Sequence, residues 1–313
     1  MILKIGTRGS KLALAQSYWV RDKICSRHPD LQVDLVTIKT TGDRILDSPL
    51  SKIGGKGLFV KEIEQALLEK KIDLAVHSMK DVPAELPDKL CLPVFPERED
   101  PSDAFVCFRR QGLEQLPQSA RVGTSSLRRT AQLRHIRPDL NIVSLRGNVD
   151  TRLGKLASGE LDGIILAMAG LNRLGYCGRI SQIIPQEHIL PAIGQGALGL
   201  ELRQNDTRTM DLIRFLNHEP TEIAVTAERA FLHKLQGGCQ VPIAGFAHLH
   251  GGILRLTGMV AEIDGSRILR DEITGGTDQA EQLGVTLAER LLHAGAGEIL
   301  ERVYSTSVSD GRT

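Results

Sequence analysis

One segment of the chain combines a hydroxyl-rich turn with paired arginines. It reads Thr124-Ser125-Ser126-Leu127-Arg128-Arg129, and it separates a strand-like stretch from a helix-like one. The free N–H groups and the dipole of a helix N-terminus favour anions. Guanidinium groups fork onto carboxylates. The segment therefore indicates an anion site, although an ordinary N-cap followed by solvated arginines is the alternative that it leaves open.

A second segment repeats this arrangement after the next predicted strand. Arg146-Gly147-Asn148 ends the strand, and Arg152 lies in the helix that follows. In open α/β sheets, ligands gather at the carboxyl ends of strands. We therefore expect Arg146 and Arg152 to face the same edge as the first pair of arginines, and we expect the ligand to be polyanionic.

A carboxylate with a neighbouring ammonium ends a third strand-like stretch. His77-Ser78-Met79-Lys80-Asp81 follows a buried-type strand, and Pro83 stops further pairing. Asp81 could stabilise a developing cation or relay a proton. A turn aspartate that caps its neighbours is the equally weighted alternative.

The five cysteines point to one candidate for covalent chemistry. They are odd in number and form no CxxC, which excludes a disulfide framework and a zinc-ligand spacing and favours a reducing compartment. Cys239 follows two glycines on a predicted loop, where its thiolate could attack an electrophile or carry an adduct.

Two glycine-rich stretches resemble nucleotide loops but lack their requirements. Lys56 would be the lysine of a Walker A motif, yet Leu50 and Gly57 stand where a glycine and a hydroxyl residue are needed. The stretch at 194–199 matches GxGxxG, but Pro191 precedes it and no parallel strand follows at the right distance. We interpret this stretch as a hinge or a substrate-contacting loop.

Alternating strand and helix patterns must position these residues. The first ~95 residues predict an α/β layer with a mainly parallel sheet. The predicted elements are strands 3–6, 33–39 and 72–77 and helices 10–28 and 57–70. Prolines 83, 87, 93, 96 and 101 then indicate a crossing segment.

A second α/β pattern and a third, α+β pattern follow. The second pattern has strands 121–122, 141–145 and 162–167 and helices 127–136 and 149–158. The third begins near residue 219 with a helix, continues into strands 244–250, 253–260 and 267–273, and ends with a helix from 279 to about 293. Residues 305–313 are expected to form a frayed polar tail.

Composition narrows the functional classes. The 313 residues include 39 Lys and Arg against 38 Asp and Glu, a net charge of +1, and only 4% are aromatic. These values argue against a general nucleic-acid binder. No stretch approaches the ~18–20 apolar residues of a membrane helix, and no signal-like run builds up before Lys11, so we expect a cytoplasmic protein.

Taken in series, the motifs resemble the porphobilinogen deaminase (hydroxymethylbilane synthase) family over nearly the whole chain. The stretches that carry the resemblance are GTRGS at 6–10, GGKGLF at 54–59, HSMKDVP at 77–83, GTSSLRR at 123–129, LRGN at 145–148, LPAIGQG at 190–196 and GGCQVP at 237–242.

The resemblance implies a three-domain α/β fold. Two α/β domains, similar to those of periplasmic binding proteins, would face each other across a cleft, followed by a smaller α+β domain. The expected limits are 1–96 with 197–215 for the first domain, 102–190 for the second and 219–313 for the third.

The resemblance also implies an activity and its residues. Four porphobilinogens would be joined head to tail with loss of ammonia, on a dipyrromethane cofactor held by a thioether to Cys239, and Asp81 would be the catalytic residue. The implied cofactor and substrate contacts are Arg8, Ser10, Lys52, Lys56, Phe59, Ser78, Lys80, Thr124, Ser125, Ser126, Arg128, Arg129, Arg146, Gly147, Asn148, Arg152, Arg173 and Gln195. No metal is implied.

The main alternative is a non-catalytic solute-binding protein for a polycarboxylate on the same cleft. Asp81 and the cysteine loop argue against it, because a passive receptor needs neither. We expect a monomer whose partner is its small-molecule substrate, with no nucleic acid and no membrane.

Overall fold

Three β-sheets organise the chain. The computed structural model describes residues 2–44, 57–237 and 241–309, with side chains described up to residue 305. Two of the sheets have five strands and the third has three. Each sheet is covered by helices, which gives every layer its own apolar core.

The first sheet has the order β2-β1-β3-β10-β4. Its strands are β1 (Ile2–Thr7), β2 (Gln32–Thr37), β3 (Leu74–Ser78), β4 (Leu90–Val94) and β10 (Leu198–Arg203). Its helices are α1 (Lys11–Arg27), α2 (Thr41–Arg44), α3 (Lys61–Leu68) and α7 (Thr207–Ile213). Strands β1, β2 and β3 are parallel, whereas β10 runs antiparallel between β3 and β4.

The second sheet has the order β7-β6-β8-β5-β9. Its strands are β5 (Asp103–Cys107), β6 (Arg121–Gly123), β7 (Asn141–Val143), β8 (Gly163–Ala167) and β9 (Gln182–Ile184). Its helices are α4 (Leu127–Ile136), α5 (Val149–Ala157) and α6 (Met168–Arg173). Because β6 and β7 are parallel, their carboxyl ends and the helices that follow meet at one edge.

The third layer is an antiparallel meander with helices on one side. It contains β11 (Ile243–His250), β12 (Ile253–Ala261), β13 (Ile268–Gly276), α8 (Glu219–Lys234), α9 (Ala280–Leu291) and α10 (Gly297–Ser309). Phe231 of α8 is fully buried in its core.

The α/β prediction is confirmed, with one correction. Four of the five strands of the first sheet, β1 to β4, run in the same direction as predicted, and β10, which arrives from late in the chain, runs antiparallel between β3 and β4. The polar tail predicted from residue 305 is wrong as far as Ser309, since α10 continues to that residue. No helix among the described residues is long and apolar enough to cross a membrane.

Candidate active site

Three strand ends bring the predicted chemistry together. A 3-10 turn, Met79–Asp81, directly follows β3, and it faces the N-terminal regions of α4 and α5 in the second layer. Lys80 and Asp81 on the turn share one electrostatic environment with Arg129 and Arg152 on those helices. The residues predicted at these strand ends therefore lie in one site.

Lys80 is held in a crowded positive environment. Burial lowers the pKa of Lys80 to about 8; the carboxylate of Asp81 opposes that shift and the guanidinium of Arg129 adds to it. An ammonium with this pKa is still charged at neutral pH. It releases its proton far more readily than a surface lysine.

Arg152 and Arg146 extend the positive field. The pKa of Arg152 is lowered to about 10, chiefly by burial and also by Arg129 and Arg146, while Asp81 opposes the shift. The Nε of Arg152 donates a hydrogen bond of 2.9 Å to the carbonyl of Gly147. Gly147 has a φ of +106°, and a Cβ there would lie 2.7 Å from Thr151, so only glycine fits this turn.

Arg128 and Arg129 are buried and paired with Asp103, a residue that the sequence analysis did not single out. Nη1 of Arg128 lies 2.7 Å from Asp103 Oδ2, and Nη2 of Arg129 lies 2.6 Å from Oδ1. Both arginines are 5% exposed and Asp103 is fully buried. Burial raises the pKa of Asp103, but the two guanidiniums together outweigh it and hold that pKa well below its usual range.

Gln195 completes this buried network. Its Nε2 donates to Asp103 Oδ1 at 2.9 Å and to the carbonyl of Pro101 at 2.6 Å. Arg128 also donates to the carbonyl of Leu190 at 2.7 Å. The sequence offered one signal for the role of Asp103, since it is an acidic residue at the start of the otherwise apolar strand β5.

Arg8 also has a carboxylate partner in the protein. Its Nε lies 3.2 Å from an oxygen of Asp43, and its guanidinium stacks over the ring of Phe59 at 4.2 Å. Burial raises the pKa of Asp43, but the hydrogen bond and charge of Arg8 reverse the shift and lower it overall. Arg8 is thus oriented by two side chains from the α2–α3 region.

The predicted hydroxyl and amide ligands serve as caps in this structure. Ser10, Ser126 and Asn148 accept the hydrogen bonds of the helix N-caps of α1, α4 and α5. Thr124 Oγ1 accepts the N–H of Ser126 at 3.2 Å. Ser125 Oγ donates to the carbonyl of residue 145 at 2.8 Å and is exposed. These caps fix the two helix N-termini at the edge of the sheet.

The remaining predicted residues lie around the same region. Ser78 pairs with Leu198 at the end of β3. Arg173 of α6 donates to the carbonyl of Gly196 at 2.8 Å, and burial lowers its pKa while Glu99 opposes the shift. Lys52, Lys56 and Cys239 lie outside the described residues.

The charge balance of the site favours an anionic ligand. Five cationic side chains surround two carboxylates, those of Asp81 and Asp103. The cations are Lys80, Arg128, Arg129, Arg146 and Arg152. The Nε of Arg128 is buried and has no hydrogen-bond partner among the described residues. Such a site suits a ligand with several carboxylates.

No group of three or more His, Cys, Asp and Glu side chains within the described ranges could hold a metal ion.

Two family models match the chain. One is described as porphobilinogen deaminase, dipyromethane cofactor binding domain, and covers residues 3–211. The other, the porphobilinogen deaminase C-terminal domain, covers residues 222–293.

Curated relatives match over nearly the whole length. The porphobilinogen deaminase of Geobacter metallireducens is 54% identical over 98% of this chain and 96% of its own. That of Pelobacter propionicus is 55% identical over 98% of both chains. Among solved structures, the periplasmic aliphatic sulphonate binding protein SsuA from Escherichia coli is 13% identical, with a TM-score of 0.40 over 75% of this chain and 70% of that one.

Proposed function

The chain belongs to the porphobilinogen deaminase family, and on that basis we propose that Asp81, Lys80 and the arginines at the β6 and β7 strand ends carry out the family's reaction. The activity is that of a hydroxymethylbilane synthase, a transferase of tetrapyrrole biosynthesis. It joins four porphobilinogen molecules and releases linear hydroxymethylbilane by hydrolysis.

Each condensation forms one carbon–carbon bond and breaks one carbon–nitrogen bond. Ammonia leaves the aminomethyl carbon with the bonding electron pair and a proton, and that carbon becomes electrophilic. The free α-carbon of the last pyrrole already bound attacks it and loses its own proton. Positive charge therefore develops on the pyrrole that loses ammonia, and a fixed carboxylate stabilises it.

Asp81 is the carboxylate that we assign to this task. It lies on the 3-10 turn beside Lys80, and it is electrostatically coupled to Arg152. Its oxygens can accept the pyrrole N–H groups of the reacting rings, which orients the rings and stabilises the developing charge. Preorganised groups of this kind typically contribute about 10²–10³ in rate.

The arginines bind the carboxylates of the substrate and of the growing chain. Every porphobilinogen carries one acetate and one propionate, so negative charge accumulates as the chain lengthens. Arg146 and Arg152 supply forked donors at the N-terminal end of α5, and neither forms an ion pair with a carboxylate of the described residues. Arg128 and Arg129, which are buried, add positive charge, although Asp103 neutralises part of it.

The same residues fit the family's dipyrromethane cofactor. It consists of two pyrroles with acidic side chains, and the excess of cations and the unpartnered Nε of Arg128 match it. When bound, the cofactor supplies the pyrrole carbon to which the first substrate is joined. We propose Cys239 as its attachment point, which sequence places five residues after the end of α8.

The observation that carries this assignment is the excess of buried and half-buried cations around Asp81. A solute-binding protein would share the cations, but the family membership does not favour that alternative. Intact-protein mass spectrometry tests the assignment. Wild-type protein should carry the mass of two pyrrole units, and Cys239→Ala should not. Full activity from unmodified protein would reject it.

We further propose the three domains 1–96 with 197–215, 102–190 and 219–313. The three separate sheets support this division. We also propose a cytoplasmic monomer that binds no nucleic acid, in keeping with a net charge of +1. Size-exclusion chromatography with light scattering tests the monomer, since a mass near 68 kDa, about twice the chain's 34.2 kDa, would contradict it.

A further inference from the structure

Helix α8 of the third layer packs along the segment of chain that leaves Asp81. Val225 of this helix is fully buried. It belongs to the same apolar cluster as Met79 and Val82, the residues on either side of Lys80 and Asp81. At this first point the helix therefore packs against the 3-10 turn through apolar groups.

One helical turn further along, the contact becomes polar. Nη2 of Arg229 donates hydrogen bonds to two successive carbonyl oxygens, those of Pro83 at 3.0 Å and Ala84 at 2.9 Å. Pro83 and Ala84 follow Asp81 by two and three residues. Proline lacks an N–H group, so this part of the backbone depends on its carbonyls for hydrogen bonds.

A third contact continues the same stripe. His233 Nε2 lies 3.3 Å from a carboxylate oxygen of Glu85, in an exposed pair. Val225, Arg229 and His233 are four residues apart, a spacing that places them on one face of a helix. The residues they meet advance along the chain in the same order, from 79 to 85. The helix thus follows this segment over its whole length.

From this register we infer that Arg229 is a positioning residue, which holds the backbone after the catalytic turn so that Asp81 keeps its place in the site. This inference rests on the role proposed above for Asp81. Arg229 is partly buried, and its guanidinium also faces the carboxylate of Glu201 on β10. Its hydrogen bonds therefore join the third layer to the segment that follows β3, and Glu201 of β10 adds an electrostatic attraction.

The consequence is a rate effect without a binding effect. Arg229 contacts the backbone of residues 83–84, and its partners in this structure are protein groups, so substrate affinity should depend little on it. Small displacements of a reacting carboxylate reduce rate strongly. Loss of Arg229 should therefore lower kcat and leave KM nearly unchanged.

The experiment compares Arg229→Gln with Arg270→Gln in the cofactor-loaded full chain. Arg270 is a matched control, because it also donates from the third layer to two successive carbonyls. These belong to Gln186 and Glu187, which follow β9 of the second layer. We expect Arg229→Gln to lower kcat about tenfold or more, with KM changed by less than about twofold. Arg229→Lys should restore part of the rate, and Arg270→Gln should keep it.

Hydrogen exchange supplies a readout that needs no turnover. Amides of residues 79–86 should exchange faster in Arg229→Gln than in Arg270→Gln. Unchanged exchange in this segment would overturn the inference, as would a kcat no lower than that of the control while Asp81→Asn is inactive. If Asp81→Asn itself turned over normally, the role of Asp81 would fall, and the exchange data would show whether Arg229 still orders the segment.

Discussion

Asp103 accepts hydrogen bonds from both Nε and Nη2 of Arg129, at 3.1 and 2.6 Å, in a region closed to solvent. Its other oxygen accepts from Arg128 at 2.7 Å. One carboxylate thus anchors two of the arginines that the sequence assigns to ligand binding. These arginines form part of the frame of the site as well as part of its charge.

Replacement of Asp103 should therefore affect folding first. Asp103→Asn leaves two buried guanidiniums without their anion, and breaking a buried pair typically costs about 3–5 kcal/mol. Denaturant unfolding should show a loss of that size. Asp139→Asn is the control, since Asp139 also accepts a two-pronged contact, from Arg137, but near the surface. Asp139→Asn should lower the free energy of unfolding by about 1 kcal/mol. Equal losses in the two variants would contradict the anchoring role.

Arg146 should behave in the opposite way to Arg129. Arg146→Gln removes a donor for which no ion pair is recorded among the described residues, so KM should rise about tenfold with little change in the unfolding midpoint. Arg129→Gln should lower that midpoint because it disrupts the pairing of Asp103. Steady-state kinetics and thermal unfolding of both variants give the comparison. An Arg146→Gln enzyme with unchanged KM would remove Arg146 from the binding surface.

The contrast between these arginines shows which features of the site the sequence predicts and which it does not. Strand–turn–helix patterns predicted that Arg129, Arg146 and Arg152 would reach one edge, because the periodicity of single elements is a local property. They did not predict that Asp103 would pair with both Arg128 and Arg129. That pairing depends on the antiparallel placement of β5 beside β8, which local patterns do not encode.

Local patterns also did not reveal strand β10, and only the resemblance placed residues 197–215 with the first domain. Strand β10 begins at the end of the stretch that matches GxGxxG, and its insertion between β3 and β4 joins residues more than a hundred positions apart. The turn at Asp81 was identified from its polar run and Pro83. Its support by Arg229 is a tertiary contact with no signal in local sequence.

Lys80 should give the reaction a basic pH limit. The pKa of Lys80 is lowered to about 8, chiefly by burial, so its ammonium is charged below that pH and neutral above it. Binding of a carboxylate substrate should weaken as pH rises through about 8. Lys80→Arg keeps its charge and should flatten the profile of kcat/KM in this range. Identical profiles for the two proteins would exclude Lys80 as the titrating group.

Glu64 should make the protein less stable as pH rises. Burial raises the pKa of Glu64 to about 7, with help from Glu201 and opposition from His77 and Lys61. The unfolded chain loses this proton near 4.5, so between the two values the folded state binds more protons and stability falls with increasing pH. The loss is at most about 3 kcal/mol.

Glu64→Gln removes the titration and should flatten the pH dependence of unfolding between about pH 5 and 7. Glu69→Gln is the control, because Glu69 is exposed just beyond the same helix and its pKa is lowered, chiefly by the hydrogen bond from Lys71. If Glu64→Gln kept the slope of the wild-type protein, another buried group would be its source.

Gly194 should be indispensable for the catalytic turn. It has a φ of +68°, and a Cβ there would lie 2.7 Å from Met79 Cβ and 3.2 Å from the backbone nitrogen of Lys80. Gly175 has a φ of +71° with open space around the same position, so it is a matched control. Both alanine variants should lose about 1 kcal/mol from backbone strain.

Only Gly194→Ala has to displace backbone, because it meets the Cβ and carbonyl carbon of Met79 and the nitrogen of Lys80, which cannot swing aside as the end of a flexible side chain can. Asp81 follows directly on that turn, so a shift of a few tenths of an ångström reaches its carboxylate. We expect kcat to fall by up to about a hundredfold in Gly194→Ala and to stay near the wild-type value in Gly175→Ala. Steady-state kinetics, measured where both variants are fully folded, gives the two kcat values. Equal kcat values in the two variants would mean that the turn at Asp81 tolerates a displacement by a side chain at position 194. The close contact between Gly194 and the backbone of that turn would then have no part in catalysis.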